Sequence, residues 1–499
     1  MKTFALLLPG LLLMLTLHGR PGNPAPEEIL ENLRGPSQPF ELSPERGRYA
    51  LTMSVVENNS FFFTTPIARF VVPDLGYIGG KYVSLFAPGV SLLAVPLYSL
   101  GKSLGLAQIM TFSLSAIFAW ANLVLIFLIL RRLLGNPYPG LVAGLVFTFA
   151  SPAWAYSATF YQHHLTTFLL LSCFYMLQLT RSPSRTFLIG ILVGFSIFVE
   201  YPNVIFFIPL LLLLAYRYLD IRSFRDKISV SLNFSLTVIV AGLVLGLIPL
   251  LWYNRLAYNN PFQLAGTLTN VRRFDITTGQ PVLDEWSDSG SDYSRAVGFF
   301  KYQQLPASLS VLLTSRDRGL IYFTPVLLLG LLGLAPLIKK DRSLGWTAAG
   351  VIFAVTALYG MWGDPWGGWA FGPRYLIPAM AFLAVPLGTA IEKYGRKLWF
   401  NLLFFSLFLY SLAINLAGVL TTNQIPPSVE TESASLIPRL TFLHNFSLLQ
   451  SGISGSFIFR TYLSSYLSLQ IFAIILYILI FSGVCLVYLH HRSSDYDQS

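Results

Sequence analysis

This chain is short of charge. Of its 499 residues only 11% are Asp, Glu, Lys or Arg, while 54% are hydrophobic and 15% aromatic. A soluble domain carries about 25% charged residues, so this chain lacks the polar surface to cover itself in water. Its mean hydropathy of +0.61 places it among membrane proteins. Cysteine is nearly absent. Cys173 and Cys485 both sit in apolar runs, which excludes a disulfide framework or thiolate metal site and leaves the redox compartment open. The chain also has no Cys-x-x-Cys and no Walker loop. GYIGGK at 76–81 is not a dinucleotide loop, because no strand–turn–helix unit with a downstream acid surrounds it. DEWSDSGSDY at 284–293 spaces its acids like a calcium loop but lacks the closing Glu, and reads as a solvated loop. Sequons at Asn58, Asn233 and Asn445 recur by chance, and Asn233 lies in or beside a span.

What the chain has is apolar runs. Segments of about 17 to 25 residues can cross hydrocarbon. Candidates fall near 4–18, 108–130, 138–157, 164–179, 186–199, 203–216, 230–253, 319–338, 344–362, 376–391, 398–420 and 467–489. The first also resembles a signal peptide, but no small-x-small cleavage site follows it, which favours a retained span. The formal net charge of +10 does not point to nucleic acid, because excess Lys and Arg in short loops orients spans toward the cytoplasm. Arg131–Arg132, Arg181 and Arg185, Arg217 to Lys227, Lys339 to Arg342, Lys393 to Lys397 and Arg492 all fit one face. The count of spans then alternates throughout, with both termini inside. That requires two crossings between Arg185 and Arg217, and EYPN at 200–203 supplies the turn.

The expected fold is therefore an all-α integral membrane protein of about 12 transmembrane helices. Four stretches remain outside: 19–107, 254–318, 363–375 and 421–466. Long translocated loops escape the positive-inside rule, so their arginines do not contradict the topology. Residues 84–104, apolar but broken by Pro88, Gly89 and Pro96, read as helical pieces lying in the interface.

The first outer loop contains PERGRYALTMSVVENNSFFF and PDLGYIGGKYVSLFAPGVSLLAVPLYSLG. An acidic residue just ahead of Arg-Tyr-Ala, a Pro- and Leu-rich interfacial helix and a span ending in paired arginines follow in order. This order resembles the GT-C superfamily of polytopic glycosyltransferases, in the branch of protein O-mannosyltransferases and lipid A aminoarabinose transferases. YSATFYQHHLTTFLLL at 156–171, LLTSRDRGLIYFTPVLLL at 312–329 and MWGDPWGGWAFGPRYLIPAMAFL at 361–383 add to the likeness, which covers roughly 1–395. It divides the chain into a catalytic module, 1–395, and a C-terminal hairpin, 396–499. Where the family often has Asp-Glu, this chain has Glu45–Arg46. The resemblance implies inverting transfer of a sugar from a polyprenyl-phosphate donor to a lipid, glycan or protein acceptor. It allows a divalent metal, though no ligand cluster in the sequence demands one.

Such chemistry needs a carboxylate to take the proton of the attacking hydroxyl, and cations to hold the lipid phosphate. Glu45 and Asp74 are the candidate carboxylates; each reads equally as a solvated or ion-paired loop residue. Arg374 is the first phosphate candidate, because an Arg heading a span on the outer side breaks the positive-inside trend. Snorkelling to headgroups is the plain alternative. Arg316 and Arg318 stand in the same position before the span at 319. His163 and His164 point different ways on a helix, so they are a poor chelating pair, and His163 is read as a donor to phosphate or sugar. Glu200 is costly at membrane depth and must reach the surface or a cation. It joins Trp366, Trp369 and Lys81 as candidate substrate contacts. A transporter or flippase is the alternative class, but such proteins show internal repeats and midplane charges; no repeat is evident here, and apart from Glu200 the charges cluster at one face. A non-catalytic scaffold would leave the outer carboxylates and Arg374 unexplained. A bacterial inner membrane is the expected location.

Overall fold

The computed structural model describes residues 2–33, 35–224, 227–232, 234–283, 298, 300–431 and 440–494. The acidic stretch at 284–293, the sequon at Asn233, and Arg225 and Arg295 fall outside the described residues. Thirteen longer helices carry the fold: α1 Lys2–Leu15, α2 Ser43–Asn58, α3 Ala107–Leu134, α4 Pro137–Phe149, α5 His163–Met176, α6 Pro183–Val199 and α7 Ile208–Tyr218. The series continues with α8 Phe234–Tyr258, α9 Gly330–Lys340, α10 Arg342–Gly360, α11 Ile377–Tyr394, α12 Leu398–Leu420 and α13 Leu469–Ser494. All but α2 are mainly apolar and make up a helical slab, and α9 follows short helical pieces that begin at Leu320. The stretches carrying α3, α8, α10, α11, α12 and α13 are long and apolar enough to cross a membrane by length and composition; five further apolar helices are shorter.

One end of the slab gathers the basic clusters. Arg132 Nε donates to the Gln178 carbonyl at 2.9 Å, Arg217 donates to the Leu177 carbonyl and reaches Ser343 Oγ at 3.5 Å, and Asn136 meets Glu392 at 3.5 Å. At the opposite end the His18 ring meets the Val419 carbonyl at 2.6 Å, while the His18 N–H donates to the Ala158 carbonyl at 3.0 Å. The alternation read from the charges therefore joins loops that do touch. The short pair α6 and α7 turns at Glu200–Asn203, where EYPN was expected to break the helix.

The first outer loop carries several helices, and its 84–104 stretch forms two short ones, Gly89–Leu93 and Val95–Ser103. The loops also carry strands that an all-α reading did not mark. Strands β1 Leu75–Ile78 and β2 Lys81–Ser84 form a hairpin; β3 Leu219–Phe224 and β4 Lys227–Leu232 form another at the basic end. β5 Thr269–Phe274 and β6 Pro281–Leu283 extend the first hairpin into a sheet ordered β2-β1-β5-β6. GYIGGK is the hairpin turn: Gly79 and Gly80 both have positive φ, 54° and 79°, which a two-residue turn of this hand requires. Because β5 comes from the second long loop, the sheet joins the two loops into one outer cap.

Packing beneath the cap depends on small residues. Gly190 and Gly194 of α6 face Gly242 and Gly246 of α8, each in a small-xxx-small spacing. A methyl on any of the four would fall inside contact distance of a backbone carbonyl across the pair. Apolar side chains gain little by leaving lipid, so this backbone approach is where such a pair gets its cohesion. Gly194→Val is expected to cost about 1–3 kcal/mol by overpacking. Thermal unfolding in detergent checks this, with Gly483→Val in α13, whose glycine faces open space, as a control that leaves the transition in place.

Candidate functional site

The site grows from the first turns of α2. Ser43 and Pro44 start the helix, and Glu45 reaches back so that its Oε1 accepts the Leu42 N–H at 2.9 Å, a capping-box contact. Every residue from Glu45 to Ser54 is buried, although the run includes Arg46 and Arg48. Gly47 makes this burial feasible: a Cβ there would sit 2.6 Å from the Phe86 ring, and Arg48 lies 4.5 Å over that same ring. Arg46 donates to the carbonyls of Glu41 and Val72. Arg48 donates to the Pro44 carbonyl at 3.0 Å and pairs with Glu200 at 3.5 Å. Glu200, at the end of α6, thus finds a cation, as a carboxylate at that depth must. Gly89 helps to set its height, since a Cβ there would press on the Phe198 carbonyl two residues earlier.

A buried aromatic patch faces these charges. Tyr161 stacks on His163, with ring centroids 5.7 Å apart and planes 9° apart, and Tyr156 meets both edge-on. Arg374 lies 5.3 Å from the Tyr161 centroid and Arg48 lies 5.9 Å from it. Nε and Nη1 of Arg374, Nε of Arg48, the Tyr161 hydroxyl and Nε2 of His163 are all buried without a hydrogen-bond partner. Orphaned donors concentrated in one place are unusual in a folded interior, where most buried polar groups are satisfied. Arg374 heads α11 through a single 3₁₀ turn, after the WGGWAFGP loop. Gly367 there has φ 70°, and a Cβ on it would lie 3.2 Å from the Arg374 Nε.

The other candidates disperse. Asp74, half-buried before β1, accepts the Ser43 hydroxyl at 2.5 Å, so it stands at the same end of α2 as Glu45. Arg318 is fully engaged: it pairs with Asp317 at 2.8 Å and donates to the carbonyls of Trp366, Gly368 and Ile425. Arg316 is exposed. Trp366 is half-buried, and its carbonyl belongs to the Arg318 cluster. Trp369 is 41% exposed and donates its indole N–H to Glu430 at 2.8 Å. Lys81 lies over the Phe62 ring at 4.1 Å, at the exposed turn of the first hairpin. His164 turns away from His163 and meets the Ala153 carbonyl at 2.7 Å. Among the described residues no group of three or more His, Cys, Asp or Glu is placed to hold a metal ion.

Two groups of the site escaped the sequence reading. Tyr161 lies inside the quoted YQHHL but offered no charge to notice. Glu41 stands four residues before Glu45, one helical turn, in the apolar setting PFEL; that spacing was the available signal. Burial pushes the Glu45 carboxyl up to about 8, and the Glu41 charge adds to it, against the Leu42 N–H and Arg46. Glu41 itself rises to about 7 by burial, opposed by hydrogen bonds from Thr422, Asn423, Ser37 and Gln424. Burial also raises Glu200, opposed by Arg48 and Arg374. Tyr161 is raised by burial and then by the Glu45 charge, and the Arg374 charge opposes the rise.

The helical slab under a mixed outer cap, with charge buried at their junction, has the overall fold of a solved membrane protein. The chain is similar in structure to ArnT from Cupriavidus metallidurans. The TM-scores are 0.50 for its undecaprenyl phosphate complex and 0.51 for its apo state, with 13% identity over 98% of this chain and 77% of that one. A solved oligosaccharyltransferase from Archaeoglobus fulgidus aligns at a TM-score of 0.42 and 14% identity, over 91% of this chain and 53% of that one. No family model matches the chain, and neither does any curated protein.

The two buried arginines should behave differently on replacement. Arg318→Met strands Asp317 and three carbonyls and is expected to cost about 3–5 kcal/mol. Arg374→Met removes a guanidinium whose Nε and Nη1 have no partner and is expected to cost far less than Arg318→Met. Paired thermal melts check the order, and equal losses would refute it.

Proposed function

We propose that the protein moves a sugar from a polyprenyl-phosphate donor to an acceptor hydroxyl at the extracytoplasmic face of a bacterial inner membrane. The observation that carries this reading is the meeting at the Tyr161 ring of Arg374, whose Nε and Nη1 have no partner, with Arg48 from the same buried first turns of α2 that carry the Glu45 carboxyl. A buried arginine that the protein leaves unpaired is suited to an anion brought by a ligand, and a lipid phosphate is such an anion.

In the reaction Glu45 takes the proton of the acceptor hydroxyl as its oxygen bonds to the anomeric carbon. The bond from that carbon to the phosphate oxygen breaks, and the electron pair leaves with the polyprenyl phosphate. A single displacement inverts the anomeric centre. Arg374 holds the departing phosphate, with the free Nε of Arg48 beside it. Because Arg318 is spent on backbone carbonyls, it supports the 366–368 loop behind Arg374 instead. Asp74 remains the second candidate carboxylate, and His163 a donor to the phosphate. Glu200 sets the place of Arg48, while Trp366, Trp369 and Lys81 flank the approach.

The lipid has a place to lie. A groove of about 900 Å³ between α7 and α10 is lined by Ile208, Leu212, Tyr216, Trp346 and Phe353 and runs outward to Met361. At its outer end Tyr359 stacks on Tyr375 at 4.3 Å, and Arg374 lies 5.5 Å from the Tyr375 centroid. An isoprenoid chain in this groove would bring its phosphate toward Arg374.

Transfer of labelled sugar from a panel of polyprenyl-phosphate donors, with native lipid extract as acceptor, tests the reading. Wild-type turnover is expected, with losses of about 10²–10⁴-fold in Glu45→Gln if it is the base, and a comparable loss in Asp74→Asn if the base is Asp74. Arg374→Ala should weaken both donor binding and rate. No turnover with any donor by the folded protein would overturn the reading in favour of lipid transport. The pH dependence has a definite sign. The base must be ionised, and Glu45 is raised to about 8. The rate should therefore climb as pH rises through that value and fall about tenfold per unit below it. A flat profile between pH 6 and 9, windows set roughly by that value, would exclude Glu45.

A further inference from the structure

Glu41 is a buried carboxylate to which the transfer reaction assigns no role. It is only 2% exposed, and both its oxygens are committed to backbone outside α2. Oε1 accepts the Ser37 N–H at 2.7 Å, and Oε2 accepts the Asn423 N–H, also at 2.7 Å. One side chain thus pins the first outer loop to the segment that follows α12. Around it the same stretches are joined again: the Ser37 hydroxyl donates to the Thr421 carbonyl at 3.1 Å, and Arg460 donates to the Ser37 carbonyl at 2.6 Å. Asn445 adds a bond to the Thr422 carbonyl at 2.8 Å.

Holding two loops together does not require a charge. A neutral acceptor would bridge the same N–H groups at a smaller desolvation cost. The charge has a consequence close by, where the buried Glu45 carboxyl accepts the N–H of Leu42, the residue next to Glu41, at 2.9 Å. The groups facing the pair are few. Arg46 lies on their own stretch, Tyr156 faces Glu41 and Tyr161 faces Glu45 from the 153–163 region, and the 421–424 segment presents only neutral donors.

We propose that Glu41 is a positioning residue for Glu45: seated between Ser37 and Asn423, it holds a negative charge beside the proton-accepting carboxyl and so couples the base to the docking of segment 421–425. The inference rests on Glu45 as the base of the proposed transfer. With the segment seated, the Ser37 and Asn423 N–H groups favour the ionised Glu41, and its charge raises the proton affinity of Glu45. With the segment lifted, Glu41 loses the Asn423 donor and takes up a proton, and Glu45 becomes a weaker base. The last outer segment, which belongs to the C-terminal hairpin, thereby controls chemistry in the first loop.

The test is an infrared titration of the protonated-carboxyl band in purified full-length protein. It compares wild type, Glu41→Gln, Ser37→Ala and Glu45→Gln, the last assigning the Glu45 component. Glu41→Gln is expected to lower the Glu45 midpoint by about one pH unit, and Ser37→Ala, which removes the hydroxyl bond to the Thr421 carbonyl and so loosens the segment, to move it the same way by less. An unmoved midpoint in the folded variants overturns the proposal. If Glu41→Gln does not fold, Ser37→Ala alone decides. Transfer rates in the same proteins give a second readout: the acid limb should move down with the midpoint, whereas a merely structural Glu41 would lower the rate at every pH without moving the limb. A shifted midpoint in a protein that turns over no donor would leave the coupling standing and remove the transferase reading; an unmoved midpoint in an active enzyme would do the reverse.

Discussion

The outer half of this molecule depends on burying a charged helical turn. Glu45, Arg46 and Arg48 are consecutive or nearly so, and all three are almost wholly out of water. Desolvating them costs several kcal/mol per ion, recovered only where each charge finds donors, carbonyls or an opposite charge. The surrounding elements can be understood as those partners. Loop carbonyls at Glu41 and Val72 take Arg46, Glu200 takes Arg48, and Leu42 caps Glu45. The compensation is incomplete, and the donors left over point at one patch of aromatic rings. An interior that tolerates such orphans has kept them for something it does not itself supply.

The membrane part serves this arrangement by setting heights. Glu200 is useful only because α6 ends where Arg48 begins, and α6 is held at that depth by backbone contact with α8 and by Gly89 against its last turn. Arg374 enters from the other side, carried by a glycine-rich loop that the Arg318 cluster clamps from behind. The two cations therefore arrive on separate passes, and Tyr161 is where they meet. The sheet shared by the two long loops closes the cap above, so neither loop moves independently of the other.

Much of this was legible in the residues. The positions of Arg132, Arg217 and Arg342, read as one face, predicted an alternation that the backbone follows, because loop charge is a local property that membrane insertion acts on directly. The break at EYPN was equally local. The β1–β2 hairpin was less so: Gly79–Gly80 was dismissed as a phosphate loop when its meaning was a turn, and its strand partner β5 lies almost two hundred residues away. At the site, Arg374 stood out through an anomaly that sequence can show, a charge where orientation rules disfavour one, and Glu45 through its place ahead of Arg-Tyr-Ala in an outer loop. Arg318 stood out by the same rule, yet its guanidinium is consumed by Asp317 and three carbonyls. Tyr161 and Glu41 were overlooked because one carries no charge and the other becomes informative only beside Asn423.

The sequence by itself determined that this is a multi-pass helical membrane protein and which of its short loops carry the basic clusters. These follow from composition and from the period and spacing of charges along the chain, which need no knowledge of distant contacts. Tertiary structure alone decided which buried charges are spent and which are free. That distinction depends on carbonyls and carboxylates delivered by remote segments, Ile425 to Arg318, Asn423 to Glu41 and Glu200 to Arg48. A buried ion's role is set by the partners that folding brings to it.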